Sequence, residues 1–182
     1  MSSKKIFLDT NIFIDNLVNL DKLSDYGKIG RTAERIKASQ ITIEKYIEKG
    51  YTLVVSSLTL ANAYYIFSER YNSKTKKSDF AKSISAFENS ELFEVITDTY
   101  DLRAKAWQYA INNNVDYEDM LQYYSAKSSG CDFIITEDKE DKIKNKVGFP
   151  KLDLPLIDSY GNEFYTPNDT NTNKTPPKRN KQ

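Results

Sequence analysis

The sequence predicts an α/β fold in which a mostly parallel central sheet is flanked by helices. Short apolar or β-branched runs recur along the 182 residues, and segments with apolar residues at helical spacing separate them. Strands that alternate with helices are joined by crossover connections, which place neighbouring strands parallel to one another. A chain of this length buries the core of about one domain.

The first predicted elements are a short strand and two helices. Residues 6–8 are apolar and form the strand, and apolar side chains at positions 12, 13 and 17 follow at helical spacing. The apolar pattern over residues 31–49 predicts the second helix. Gly50 lies just past its end, where glycine commonly stops a helix.

The middle of the chain continues this alternation. Residues 51–55 are apolar and β-branched, which is typical of a buried strand, and Ser56 or Ser57 can cap the helix that follows. Residues 72–77 are polar and basic and predict a break between two helices. Ser78 then caps the next predicted helix.

The remaining predicted elements are two strands and two helices. Residues 92–96 favour a third strand, and residues 100–111 carry apolar side chains at helical spacing. Asp116 caps a further helix, which Gly130 ends. Residues 133–135 are apolar and predict a short buried strand.

The composition changes near the C-terminus. The predicted folded domain covers residues 1–165, and residues 166–182 form a polar, basic tail. We expect this tail to be disordered because it buries too little apolar surface to offset its ordering entropy. No apolar run approaches the ~18 residues that cross a bilayer, and the N-terminus lacks the apolar core of a signal peptide. With one cysteine, no intrachain disulfide forms, and we expect a cytoplasmic protein.

The sequence contains no histidine. This absence excludes Ser-His-Asp and Cys-His catalytic pairs and every zinc site that uses imidazole. The single cysteine excludes thiolate zinc and iron–sulfur sites within one chain. Carboxylate and carbonyl oxygens remain, and these are the ligands of hard cations such as Mg²⁺ or Mn²⁺.

Acidic residues follow two predicted strands and begin one predicted helix. Asp9 directly follows the first strand, and Asp138 follows the strand at residues 133–135. Asp116 and Asp119 occupy the cap and the first turn of a helix that begins on the same sheet edge. Sites in parallel α/β sheets form beyond the carboxyl ends of the strands, so these acids are expected in one crevice with a cation. Each acid also has a purely structural interpretation, as a turn or a helix cap.

Three segments occur in an order that carries a family resemblance. They are the opening Ile-Phe-Leu-Asp-Thr-Asn, the segment Asp-Tyr-Glu-Asp-Met-Leu-Gln at residues 116–122, and the segment Phe-Ile-Ile-Thr-Glu-Asp at residues 133–138. Together they resemble the PIN-domain family, whose bacterial members are often the ribonuclease toxins of toxin–antitoxin pairs. The resemblance spans roughly residues 4–157 and implies a PIN-like fold.

The resemblance implies a role for each matching residue. Asp9, Asp119 and Asp138 would coordinate one or two Mg²⁺ or Mn²⁺ ions, which position water for in-line attack on an RNA phosphodiester. The supporting residues would be a polar neighbour of Asp9, a nearby hydroxyl and two outlying acids: Asn11, Thr136, Asp116 and Asp141.

One position departs from the family's pattern. The family usually has a glutamate early in the helix after the second strand, and Asn62 stands there. An amide oxygen can coordinate a metal ion or hydrogen-bond to its water, but it brings no negative charge. We therefore expect weaker metal binding or loss of a second ion at Asn62.

Two basic runs are candidates for phosphate contacts. The candidate residues in them are Arg70, Lys74, Lys139 and Lys142. A solvated helix face is the alternative interpretation of each. The tyrosines at core-like spacing are interpreted as structural: Tyr64, Tyr65, Tyr109 and Tyr123. Residues 17–30 make a longer connection than a minimal PIN domain needs and receive no role.

The leading hypothesis is a metal-dependent endoribonuclease, the toxin of a toxin–antitoxin pair. Its expected partners are RNA, a cognate antitoxin protein and a second copy of the chain, with no membrane. The alternative is a catalytically weakened PIN-fold module that binds RNA or protein, because Asn62 replaces the usual glutamate. A third hypothesis is a nuclease that acts on DNA, since nothing in the sequence reports a contact to the 2′-hydroxyl.

Overall fold

A computed structural model describes residues 4–18, 32–70, 74–139 and 148–167. The strands in this part of the chain are β1 (Lys5–Leu8), β2 (Thr52–Ser56), β3 (Phe93–Ile96), β4 (Phe133–Ile135), β5 (Leu156–Ile157) and β6 (Glu163–Tyr165). The helices are α1 (Thr10–Leu17), α2 (Ala33–Glu48), α3 (Ser57–Arg70), α4 (Lys74–Glu88), α5 (Tyr100–Asn113) and α6 (Tyr117–Ser128). The predicted alternation of strands and helices is confirmed.

The strands described form a single sheet in the order β3-β2-β1-β4-β5-β6. Strand β1 lies inside the sheet, where Ile6 pairs with Leu53 of β2 on one side and Phe133 of β4 on the other. The pairings from β3 to β5 are all parallel, and β6 pairs antiparallel with β5. The predicted mostly parallel sheet is therefore correct.

The sheet separates two apolar clusters. Ile6 and Leu8 of β1 face the cluster formed with helices α1 to α4. Phe7 between them faces the second cluster, which includes Ala106 of α5 and Met120 of α6. This alternation follows from the two-residue period of a strand and accounts for the complete burial of the three apolar residues 6–8 of β1. The result is a layer of helices on each side of the sheet.

Side-chain caps set where several helices begin. The Ser56 hydroxyl accepts a hydrogen bond from the Thr59 amide at 3.0 Å, so Ser56 caps α3. Thr99 caps α5 by accepting from the Leu102 amide at 3.3 Å. Helix α6 is followed by Gly130, whose φ of 70° favours glycine, as predicted for the residue that ends this helix.

Two local predictions are wrong. Helix α4 begins at Lys74, so Ser78 lies inside it rather than at its cap. Residues 74–77, which were predicted to belong to the break, form the first turn of α4 instead, because lysine is a good helix former. Tyr64 and Tyr65 are 43% and 66% exposed, although their spacing was interpreted as that of core residues. Neighbouring helical residues point about 100° apart, so adjacent tyrosines on α3 do not share one buried direction.

Some predictions fall outside the described residues. These concern most of residues 17–30, Asp141, Lys142 and nearly all of the C-terminal tail. Within the described ranges, no helix is both long enough and apolar enough to span a membrane.

Candidate active site

The carboxyl ends of the adjacent strands β1 and β4 open into a cleft with a volume of about 400 Å³. The Asp9 amide donates to the Ile135 carbonyl at 3.1 Å, which holds the two strand ends together. We call this the acidic cleft. The described residues that line it are Asp9, Thr10, Asn11, Asn62, Tyr65, Ile66, Glu118, Asp119, Gln122 and Asp138.

Thr136 connects the acids at the two strand ends. Its hydroxyl donates to Oδ2 of Asp9 at 2.8 Å and accepts from the Asp138 amide at 3.0 Å. Thr136 is fully buried, and Asp9 is 4% exposed. The threonine thus fixes the Asp9 carboxylate and the backbone at Asp138 relative to each other.

Helix α6 supplies Asp119 from its first turn. Asp116 caps this helix by accepting hydrogen bonds from the amides of Glu118 at 2.7 Å and Asp119 at 3.4 Å. Asp116 does not itself line the acidic cleft. It sets the start of α6 and thereby the placement of the two acids that follow it.

Burial and the neighbouring carboxyl groups disfavour the ionisation of Asp119. Burial, followed by the charges of Asp9, Asp138 and Asp116, raises the pKa of Asp119 from 3.8 to about 8. Asp119 is also hydrogen-bonded to Asp138. At neutral pH and without a cation, the Asp119 carboxyl group therefore keeps its proton and remains hydrogen-bonded to Asp138.

Burial and hydrogen bonding shift the pKa of Asp9 in opposite directions. Burial raises its pKa, and hydrogen bonds from Thr136, the Thr10 backbone and Gln122 partly oppose that rise. The net pKa lies above the ordinary value of 3.8. A carboxylate held in this way gains from a nearby positive charge, because the charge offsets its loss of hydration.

Sequence reasoning missed Gln122. It follows Asp119 by one turn of α6, is 3% exposed, and hydrogen-bonds to Asp9. The i to i+3 spacing from Asp119 places both side chains on one helix face and could have identified it. Gln122 therefore joins α6 to the end of β1 within the acidic cleft.

Glu118 is the second lining residue that sequence reasoning missed. The Asn62 amide on α3 donates to Oε2 of Glu118 on α6 at 3.4 Å. This contact joins opposite walls of the acidic cleft. Glu118 neighbours Asp119 in sequence, but only the three-dimensional placement of α3 and α6 at the end of the sheet brings it to Asn62.

A family model described as a PIN domain matches residues 5–140. The chain belongs to the PIN-domain family. The resemblance inferred from the three sequence segments is therefore confirmed.

Known proteins similar to this PIN domain include a curated ribonuclease. Ribonuclease VapC1 of Aquifex aeolicus (strain VF5) is 26% identical over 139 residues, which cover 76% of this chain and 85% of that protein. The crystal structure of Mycobacterium tuberculosis VapC20, a Sarcin-Ricin loop cleaving toxin, has 17% identity and a TM-score of 0.49, covering 78% of this chain and 96% of that one. Rickettsia felis VapBC2, bound to a DNA fragment from its promoter, has 19% identity and a TM-score of 0.49, with coverages of 85% and 98%.

The predicted site residues of this PIN domain are partly gathered in one place. Those lining the acidic cleft are Asp9, Asn11, Asn62, Asp119 and Asp138. Thr136 lies beside it and hydrogen-bonds to Asp9. Arg70 ends α3 and Lys74 begins α4, which places their backbones at the junction of these helices.

Lys139 is engaged by the protein itself. Its ammonium group lies 2.7 Å from Oδ2 of Asp158 and 5.1 Å from the centre of the Phe164 ring. Burial would raise the pKa of Asp158, but hydrogen bonds from Lys139 and Asn162 outweigh it and lower the pKa. Lys139 therefore ties the turn after β4 to the segment between β5 and β6, and phosphate contact by Lys139 stays a prediction.

Glu137 fixes the same turn from another side. Arg35 of α2 forms an ion pair with it at 3.0 Å, and the Ser159 amide donates to its other carboxylate oxygen at 2.6 Å. The neighbouring side chain of Asp138 lines the acidic cleft. The anchors on Glu137 and Lys139 therefore position Asp138 from both sides along the chain.

The donors of the acidic cleft suit a hard divalent cation in their chemistry. They are carboxylate, amide and hydroxyl oxygens, the ligands that Mg²⁺ and Mn²⁺ prefer. In the part of the chain that the structure describes, Oε1 of Gln122 and Oγ1 of Thr10 are buried without a hydrogen-bond partner. An ion or its coordinated water would satisfy such oxygens.

The acids are not arranged as a preformed metal centre. Among residues 4–18, 32–70, 74–139 and 148–167, no three Asp, Glu, Cys or His side chains form a group that could hold a metal ion. Instead, the Asp9 carboxylate is hydrogen-bonded to Thr136, and the Asp119 side chain is hydrogen-bonded to Asp138. Binding an ion here requires these side chains to exchange hydrogen bonds for metal ligation.

Proposed function

We propose that this PIN domain is a divalent-metal-dependent endoribonuclease and the toxin of a toxin–antitoxin pair. The observation that carries the proposal is the convergence of Asp9, Asp119 and Asp138 on one cleft, from three distant parts of the chain. The similarity to a protein named Ribonuclease VapC1 supports RNA as the substrate. The absence of histidine from the sequence favours metal-assisted hydrolysis over imidazole chemistry.

Asp9, Asp119 and Asp138 would hold Mg²⁺ or Mn²⁺ in this cleft. When bound, the ion supplies charge neutralisation at a phosphoryl oxygen and a water of lowered pKa. Thr136 and Gln122 hold the Asp9 carboxylate in a fixed orientation. Asn11 is exposed at the cleft, and its amide can donate a hydrogen bond to a non-bridging phosphate oxygen.

The substrate would pass along the end of α3. Arg70 follows Ile66 of the cleft wall by one helical turn, and Lys74 begins the next helix. These residues, with Lys139 and Lys142, are our candidates for contacts to the RNA backbone. We place the catalytic domain at residues 1–165, with an antitoxin and a second copy of the chain as its protein partners.

Cleavage of structured RNA in the presence of Mg²⁺ or Mn²⁺ tests the proposal. The parent protein should cut RNA, and Asp9→Asn should remove the activity while keeping the circular-dichroism spectrum of the folded parent. Duplex and single-stranded DNA serve as comparison substrates. Activity of Asp9→Asn equal to that of the parent would contradict the proposal.

A binding module is the second candidate function. It is favoured by Asn62, which brings no charge where the family usually has a glutamate, and by the lack of a preformed three-acid group within the described ranges. Such a module would bind RNA or protein without cutting it. Calorimetric titration with Mn²⁺ separates the two functions, because the module would not bind Mn²⁺ at millimolar concentration.

A further inference from the structure

Glu118 is an acid of the cleft that the proposed function leaves unused. It lies in the first turn of α6, beside Asp119, and its side chain lines the acidic cleft. The hydrogen bond from the Asn62 amide at 3.4 Å is the one contact described for its carboxylate. No ion pair to Glu118 occurs in the described part of the chain.

We propose that Glu118 is a fourth acidic ligand of the cleft, oriented by Asn62 from the opposite wall, and that it enables the cleft to hold a second divalent cation. This inference rests on the proposed function, since it assumes that Asp9, Asp119 and Asp138 bind a first cation. In this arrangement α6 would supply the additional carboxylate, that of Glu118, and α3 would supply the neutral amide of Asn62 that orients it.

The charge balance of the acidic cleft supports this proposal. Its described lining includes Asp9, Glu118, Asp119 and Asp138 but no lysine or arginine. When all are ionised, these four carboxylates carry a charge that two divalent cations would neutralise. One cation alone would leave two negative charges in a cleft whose described lining offers no cationic side chain.

Two buried oxygens of the cleft have hydrogen-bonding capacity that an ion or its coordinated water could use. Oε1 of Gln122 and Oγ1 of Thr10 have no hydrogen-bond partner within the described residues, and both residues line the acidic cleft. Gln122 is 3% exposed and Thr10 is 7% exposed, so bulk water does not readily satisfy them. Hydrated divalent ions would supply water hydrogens or direct coordination to these atoms.

The contact with Asn62 leaves the Glu118 carboxylate available to bind a cation. At 3.4 Å, the hydrogen bond between a neutral amide and an exposed carboxylate is longer than a typical N–H···O bond. A lysine at position 62 would instead place a competing positive charge in the cleft. The amide therefore orients Glu118 without neutralising it, and an arriving cation can replace the amide.

Titration of the full chain with Mn²⁺, in the absence of RNA, tests this inference by calorimetry. The parent should bind two Mn²⁺ ions per chain, and Glu118→Gln should bind one or weaken the second by at least roughly tenfold. The matched control is Glu34→Gln, an exposed glutamate in the first turn of α2 that does not line the cleft. It should bind Mn²⁺ as the parent does.

A double variant that exchanges the carboxylate and the amide between α6 and α3 makes the Mn²⁺ titration more specific. In the double variant Asn62→Glu with Glu118→Gln, the carboxylate moves to the opposite wall and the amide takes its place. If a fourth negative charge at this contact is what matters, the double variant should regain the second Mn²⁺ site that Glu118→Gln lacks. Thermal unfolding of each variant without metal checks that the fold is intact.

The outcomes separate this inference from the proposed function. Glu118→Gln with the stoichiometry and affinity of the parent would overturn the role of Glu118. A parent that binds two Mn²⁺ ions in a Glu118-dependent manner but leaves RNA intact would support the role of Glu118 and contradict the ribonuclease proposal.

Discussion

The hydroxyl of Thr136 donates a 2.8 Å hydrogen bond to the carboxylate of Asp9, a residue 127 positions away along the chain. The same hydroxyl accepts from the Asp138 amide. One buried side chain therefore connects the acids that follow two adjacent parallel strands. This connection fixes the Asp9 carboxylate relative to the backbone at Asp138.

Thr136→Val should lower both the stability and the metal affinity of the protein. The valine keeps the shape of the side chain but removes one of the hydrogen-bond donors to the buried Asp9 carboxylate, at a cost of about 1–3 kcal/mol in the free energy of unfolding. Urea denaturation and Mn²⁺ titration measure the two effects. The control variant Thr136→Ser retains the hydroxyl and should bind Mn²⁺ much as the parent does. Equal Mn²⁺ affinity of the Thr136→Val and Thr136→Ser variants would contradict the prediction.

Asp119→Asn should stabilise the metal-free protein at neutral and alkaline pH. The pKa of Asp119 is raised from 3.8 to about 8, so between these pH values the folded state keeps a proton that the unfolded chain has released. The free energy of unfolding of the parent should therefore fall as pH rises through this window. Asn removes the titrating group, and its curve of unfolding free energy against pH should be flatter.

Urea denaturation in the presence of a chelator, repeated across that pH window, measures this difference. Asp101→Asn is the control, because Asp101 is an exposed acid in the first turn of α5 that lies outside the acidic cleft. Its pH dependence should match that of the parent. An equally steep fall for Asp119→Asn would show that this carboxyl group does not hold a proton in the folded state.

Mn²⁺ binding should release a proton from the acidic cleft. Asp119 and Asp138 share a hydrogen bond, and coordination of their oxygens must displace its proton. Calorimetric titrations at neutral pH in two buffers of different ionisation enthalpy report the number of protons released. The heat for Asp119→Asn should depend less on the buffer than the heat for the parent.

Mn²⁺ should also raise the thermal stability of the parent but not of Asp9→Asn. A ligand that binds only the folded state at about 100 times its Kd stabilises it by about 2.7 kcal/mol. Thermal unfolding with and without Mn²⁺ measures this shift. An equal rise in the Tm of Asp9→Asn would place the ion elsewhere on the protein.

Tyr65→Ala should weaken RNA binding more than it slows cleavage. Tyr65 lines the acidic cleft with 66% of its surface exposed, so its ring is available to stack on a base. Loss of one stacking contact should raise KM by roughly tenfold, while kcat changes little. Tyr65→Phe keeps the ring and should behave as the parent.

Tyr160→Ala controls for the loss of an exposed aromatic ring. Tyr160 is 52% exposed and does not line the acidic cleft. Its substitution should leave KM unchanged. A similar increase in KM for both alanine variants would assign the effect to general surface chemistry rather than to stacking at the cleft.

The sequence predicted the central strands and the meeting of the acids for a simple physical reason. Residues 6–8 of β1 and all of β4 are apolar and buried, and parallel pairing brings the carboxyl ends of the two strands to one edge. Asp9 directly follows β1, and Asp138 follows β4 after two intervening residues, in the turn after that strand. Their proximity therefore depends on chain order and on the direction of the strands, both of which can be read from the sequence.

Other features depend on packing that no local pattern records. Glu118 faces Asn62 only because α3 and α6 lie on opposite walls of the cleft, which the residue spacing within each helix does not report. The strands β5 and β6 contain two and three residues, too few for a recognisable alternation. Tyr65 was misassigned because an aromatic residue on a helix is usually buried, whereas here it borders a cleft.

The anchoring of Glu137 by Arg35 and by the Ser159 amide has a consequence for synthesis on the ribosome. A nascent chain that has emerged only as far as Asp138 carries all the acids of the cleft but lacks Ser159, whose amide helps to fix the turn beside Asp138. Domains form as units once their residues have left the exit tunnel. We therefore expect an unfinished polypeptide that ends before residue 159 to lack a fixed turn at Asp138 and, under the proposed function, to leave RNA uncut.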